Sequence, residues 1–281
     1  MVKGLDKFKE YFVGYEGKYV IIGGTACNIY EELMAQEPRA TKDIDLILIV
    51  EALTDSFVRR FWEFVVAGGY QQRERGEGES GDKSGRKHEY FRFMKPAGPS
   101  FPKQIELFSR NLGLLDFPAD AHITPIPAGE DLSSLSAILL DDDYYNFTIS
   151  HSELVDEIHY ANPYSLVCLK AKAYLDMTSR KASGEDQDSS DIDKHKKDVF
   201  RMAALLDSGR SVELPEKLLQ DMTDFVRLVS YDLPGKELFK AMKAPALKAT
   251  TLLARLSEVF RLPPIIDHIM PTDAYGLYAS Y

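Results

Sequence analysis

Asp43 and Asp45 stand two residues apart at the head of an apolar run, residues 44–50. Residues i and i+2 of a β-strand project from the same face, so this spacing predicts two carboxylates side by side. Such a pair suits hard divalent cations, which take oxygen ligands and bridge to phosphates. Upstream, Gly23-Gly24-Thr25 lies between a strand expected at residues 19–22 and a helix expected at 26–35. A glycine pair lets backbone N–H groups approach an anion, and the helix adds the positive end of its dipole. Thr25 is placed to cap that helix or to donate its hydroxyl to a phosphate. A phosphate cradle beside metal carboxylates is the apparatus for in-line nucleotidyl transfer with two metal ions. Taken singly, a Gly-Gly turn is usually only a turn, and Asp-x-Asp is common on exposed strand ends. Their order, each against an apolar strand, is what gives the combination its weight.

A third carboxylate is expected from Glu106, in Gln104-Ile105-Glu106-Leu107-Phe108, because it is the acid of that region flanked by apolar residues. The plainer alternative is an outward-facing strand residue. Asp141, Asp142 and Asp143 are a second choice, since a triple Asp more often marks a solvated turn. Lys170 is the candidate cation. In a helix over residues 162–177, Leu166, Val167, Ala173, Tyr174 and Met177 fall within about 60° of it. A lysine centred on an apolar stripe is costly unless its ammonium reaches an anion. The alternative is a side chain snorkelling to solvent. Lys172 falls on the opposite side, near Asp176, as a surface residue.

The elements that must position these groups follow from periodicity and breakers. An amphipathic helix is expected at residues 3–13 and another at 55–67, stopped by Gly68-Gly69. Residues 71–87 form a polar loop, and strands at 88–94 and 105–108 make a hairpin. A later strand pair is expected at 136–140 and 144–149, around the triple Asp. Beyond residue 150 the texture turns helical, with helices at 162–177, 193–206, 215–230 and 236–260. A serine-rich acidic loop fills 179–190, and a Pro-rich tail starts at Leu262. The expected fold class is α/β (α+β), a mixed sheet with helices in residues 1–150 and a helical C-terminal domain in 151–281.

The chain has 281 residues and a formal charge of -10, which argues against a broad nucleic-acid-binding surface. Residues 1–150 hold 17 Lys and Arg against 24 Asp and Glu, and the remainder 17 against 20, so a polyanion would sooner touch the second half. No apolar run is long enough to span a bilayer and no secretory leader is evident, so the expected setting is cytoplasmic, without membrane contact. Cys27 and Cys168 sit in apolar helical patterns and read as buried free thiols. The histidines at 88, 122, 151, 159, 195 and 268 show no metal spacing, and neither a Walker sequence nor Gly-x-Ser-x-Gly occurs.

The Gly-Gly-Thr and Asp-x-Asp order resembles the nucleotidyltransferase superfamily of the DNA-polymerase-β type. The helix filling the interval, with Arg39, Thr41, Asp43, Ile44 and Asp45, resembles its AbiEii-like branch in particular. That branch includes toxins of type IV toxin–antitoxin systems and relatives that nucleotidylate RNA. The resemblance implies a nucleotidyltransferase fold. It implies Mg²⁺ held by Asp43, Asp45 and Glu106, the last being Glu where Asp is usual, and an NTP gripped by Gly23, Gly24 and Thr25. It also covers Leu169-Lys170-Ala171-Lys172-Ala173 and Lys194-His195-Lys196-Lys197-Asp198. This implies a role for Lys170 at the nucleotide and for Asp198 in orienting a lysine or the substrate. Residues 207–281 resemble nothing. The expected reaction moves an NMP to an acceptor hydroxyl on RNA, tRNA or protein. Open beside it are transfer to a small molecule such as an aminoglycoside, a glycosyltransferase using its Asp-x-Asp, and an inactive member that binds a partner such as an antitoxin. The run Lys194–Lys197 reads either as a solvated helix start or as an RNA-facing patch.

Overall fold

A computed structural model describes residues 2–38, 41, 43–49, 52–70, 90–108, 138 and 141–264. The loop expected at 71–87, all of the strand at 136–140 but Ile138, Arg39 and Lys42, His88 and the tail beyond residue 264 lie outside the described residues. The protein is a mixed α/β chain whose six-stranded sheet has the order β3-β4-β2-β1-β6-β5. The strands are β1 (Tyr19–Ile22), β2 (Asp43–Leu48), β3 (Tyr90–Met94), β4 (Gln104–Phe108), β5 (Ser152–Val155) and β6 (Ile158–Ala161). β2 runs antiparallel to β1 and parallel to β4; β1 runs parallel to β6.

The chain divides into two compact units that interleave along the sequence rather than meeting at one boundary near residue 150. The first comprises residues 1–28, 39–140 and 152–161; the second comprises 29–38, 141–151 and 162–281.

In the first unit the sheet has an apolar face built from alternate positions. Ile21, Ile44, Leu46, Ile105 and Leu107 are all buried there, in mutual register. Helices α1 (Leu5–Phe12) and α3 (Asp55–Gly68) cover this face. Phe8 and Phe12, one helical turn apart, both meet the Tyr19 ring at 5.2 and 6.0 Å, and Phe61 meets Phe93 at 5.6 Å. Thr54 caps α3 by accepting from the Phe57 N–H, and Gly69 ends it at φ 58°, a left-handed position that glycine takes without strain. The hairpin expected near residues 88–108 is present as β3 and β4.

Three expectations are corrected. Helix α2 (Gly23–Leu33) starts directly at the glycine pair, with no separate turn before it. Residues 144–149 are helical rather than a strand: they belong to α4 (Asp142–Ser150). The Asp141 side chain caps it by accepting from the N–H groups of Asp143 and Tyr144. The triple Asp is therefore a helix start, where acids complement the dipole. The expected helix at 236–260 is two, α8 (Lys236–Ala241) and α9 (Ala249–Val259), parted by a segment with Lys243 at φ 57° and Pro245. The onset of the helical region also holds a hairpin that went unforeseen, β5 and β6, which completes the sheet.

The second unit is built on α5 (Pro163–Ala182), packed with α6 (Ser189–Ala203) and α7 (Glu216–Ser230). Asn162 caps α5 and Pro163 fills its first position. Cys168 here and Cys27 in the first unit are both buried and form no disulfide.

Candidate functional site

The alternation that buries Ile44 and Leu46 on one face of β2 leaves Asp43 and Asp45, both half-buried, on the other. The parallel register of β2 and β4 sets Asp43 opposite Gln104 and Asp45 opposite Glu106. Cα partners on adjacent strands share a face and stand one strand spacing apart, about 4.8 Å. The three acids read from the sequence therefore occupy one face in one register. Glu106 is buried, 5% exposed, and its Oε1 accepts from Gln104 Nε2 at 2.8 Å. Gln104 was not foreseen as part of the site. Its position two residues before Glu106 on the same strand was the available signal.

The helix that follows β1 meets this face. Gly23, the first residue of α2, has φ 68°, and a Cβ placed on it would lie 2.0 Å from Asp45 Oδ2. Glycine is required twice over, by the left-handed backbone and by the carboxylate against it. Asp45 thereby stands at the positive end of α2, where a negative charge is favoured. The Thr25 side chain has a task different from the expected phosphate contact or cap. It is fully buried and its hydroxyl donates to the Asp43 backbone carbonyl at 2.5 Å. This bond ties the first turn of α2 to the start of β2. Among the described residues no group of three or more His, Cys, Asp or Glu side chains is drawn together closely enough to hold a metal ion. The acids share a face and a register without forming a closed cage.

Lys170 is in the second unit, and its side chain is 4% exposed. Its ammonium does reach an anion, and that anion is Asp198, itself 3% exposed, at 3.1 Å. The pair joins α5 to α6. The lysine run is neutralised by neighbours: Lys194 lies 3.8 Å from Asp191, Lys197 2.5 Å from Asp193, and Lys196 2.6 Å from Asp232. Lys196 is buried, so the run is neither a fully solvated helix start nor an open basic patch. Lys172 is less exposed than a surface residue, held by Asp176 at 3.0 Å and Asp221 at 3.3 Å. Burial pushes the Cys168 thiol far above its ordinary range, which suppresses thiolate chemistry there.

The fold and this face define a mixed α/β protein with an acidic, glycine-backed sheet surface. No family model, curated protein or solved structure matches the chain.

Proposed function

We propose that the chain is a nucleotidyltransferase of the polymerase-β type, akin to the AbiEii-like branch, moving an NMP from an NTP to an acceptor hydroxyl. One observation carries the reading: Asp45 stands in register with Glu106 across parallel strands while its carboxylate abuts Gly23 at the start of α2. This places carboxylate oxygens and a helix N-terminus together on one side of one sheet, as triphosphate chemistry requires.

The donor set is all oxygen, with two members on neighbouring strands, and so fits a hard divalent cation such as Mg²⁺. Asp43, Asp45 and Glu106 would hold it. When bound, the ion would supply charge stabilisation for the phosphates and for the departing pyrophosphate. The chain's own part is positional. Gln104 fixes one Glu106 oxygen. Thr25 fixes the backbone from which the Asp43 side chain springs. Gly23 seats the Asp45 carboxylate against the start of α2, and Gly24, lacking a side chain, would let backbone N–H groups approach phosphate oxygens. Lys170 is engaged by Asp198 and no step is assigned to it.

A small or cationic acceptor is favoured over a long polyanion, because the net charge is -10 and each lysine of the 194–197 run already has an acidic neighbour. Turnover with such an acceptor should depend weakly on salt, whereas RNA would lose affinity steeply as salt rises.

The testing experiment is thermal unfolding with ATP, CTP, GTP and UTP, each with and without Mg²⁺, for the wild type and Asp43→Ala/Asp45→Ala. A ligand bound only to the folded state at a hundred times its Kd adds about 2.7 kcal/mol. The expected result is a Mg²⁺-dependent rise in Tm for at least one triphosphate, lost in the double variant. No rise with any triphosphate at saturating concentration would overturn the proposal.

A further inference from the structure

A second constellation lies on the β5–β6 hairpin, apart from the acids. His159 Nδ1 is 3.1 Å from the backbone carbonyl of Glu16, and His159 Nε2 is 2.9 Å from Ser152 Oγ. A carbonyl oxygen can only accept, so Nδ1 carries a proton, and in the neutral imidazole Nε2 then presents its lone pair. In that form the Ser152 hydroxyl donates to Nε2. Nucleophile, base and orienting group stand in the order of an activated serine, with a backbone carbonyl in the place usually given to a carboxylate.

The hairpin holds this geometry under constraint. Its two-residue turn places Asp156 at φ 47° and Glu157 at φ 61°, both left-handed and neither a glycine. Two-residue turns of this kind fix the strand register. That register sets Ser152 opposite Ala161 and Leu154 opposite His159, making Ser152 and His159 diagonal neighbours on one face. The strained turn is clamped from α1, where Lys9 Nζ lies 2.7 Å from Asp156 and 3.1 Å from Glu157. β5 is an end strand of the sheet, and both Ser152 and His159 are partly exposed, so a small molecule can reach the pair. Three strand spacings, roughly 14 Å, separate β5 from the Asp45 strand.

We infer that Ser152 is a primed nucleophile that accepts an acyl group from a small activated carboxylic ester. Ser152 Oγ bonds to the carbonyl carbon as its proton passes to His159 Nε2. The bond from that carbon to the leaving oxygen then breaks, and the leaving oxygen takes the proton. Water, deprotonated by the same imidazole, returns Ser152 to its hydroxyl and releases the acid.

The test uses the full chain with two probes, a fluorophosphonate and p-nitrophenyl acetate, and maps the modified residue by mass spectrometry. The expected result is modification at Ser152 at least about 100-fold faster than at exposed Ser183, the gain general-base assistance provides. Ser152→Ala abolishes it. His159→Gln, which keeps an acceptor for the hydroxyl but lacks a base, slows it at least tenfold with an unchanged circular dichroism spectrum. A purely structural cross-strand hydrogen bond would leave Ser152 no more reactive than Ser183. That outcome, or equal rates in wild type and His159→Gln, would sink the inference. The Ser152-to-Ser183 comparison needs no variant and so stands even where a substitution impairs folding.

Discussion

Gly23 and Asp45 are in direct contact: no side chain larger than hydrogen fits at position 23 while the Asp45 carboxylate keeps its place. The first residue of a helix and a strand acid thus constrain one another. Gly23→Ala is expected to cost about 1–2 kcal/mol from the left-handed backbone alone. Because the new methyl displaces Asp45, the variant should also lose most of the Mg²⁺-dependent rise in Tm with triphosphate, although every acid is retained. Urea titration and the thermal assay measure the two effects separately. Retention of the full triphosphate response would show that Asp45 is not part of the ligand site.

Thr25→Val keeps the side-chain shape and removes the hydroxyl that donates to the Asp43 carbonyl. A buried acceptor left unsatisfied costs about 1–3 kcal/mol. The urea midpoint should fall with an unchanged slope, and Thr25→Ser should restore most of it. Equal stability of the Val variant would mean that water replaces the hydroxyl.

Lys170→Met leaves Asp198 buried without its cation, a loss of about 3–5 kcal/mol. The double variant Lys170→Met/Asp198→Leu should recover most of that loss, since an apolar pair of similar volume is often neutral. A double-mutant cycle by chemical denaturation reads the coupling. Additive losses would show that the two residues act independently.

Asp141 combines a helix cap with an ion pair to Lys217. Partial burial pushes its carboxyl up, but the Lys217 ammonium and the N–H groups of Tyr144 and Asp143 outweigh this and hold it below the ordinary carboxylate range. The folded state therefore binds this proton less readily than the unfolded chain. Its stabilisation is present above the unfolded carboxylate pKa and is lost as pH falls through the lower folded value. Asp141→Asn keeps a capping oxygen and removes the charge. Its stability deficit relative to wild type should be constant near neutrality and shrink as acid is added below about pH 4. A deficit that does not change with pH would assign the whole effect to capping.

Where the sequence was legible, one period dominated. Tyr19–Ile22 is continuously apolar, and the structure makes it a central strand between β2 and β6. The Asp43-Ile44-Asp45 alternation survives as acid and core on opposite faces. The Asp45–Glu106 register was not legible, because strand pairing is a long-range property that neither segment encodes alone. Residues 144–149 misled through β-favouring Tyr, Phe, Thr and Ile, whereas the acidic cap at Asp141 decided for a helix. The β5–β6 hairpin was hidden because its turn is Asp156-Glu157 and not a glycine pair. The sequence marks Lys170 as a lysine in need of an anion and takes that anion for a phosphate. That the anion is Asp198 depends on how α5 meets α6.

The packing of α3 on β3 has an experimental use. Trp62 is the chain's one tryptophan and is buried against Phe93, its ring 6.0 Å away, within the sheet-bearing unit. Its emission therefore watches the melting of that unit alone. Far-ultraviolet circular dichroism is weighted toward the longer helices of the other. One unfolding experiment with two optical channels thus resolves whether the units come apart together or in turn, without any introduced label.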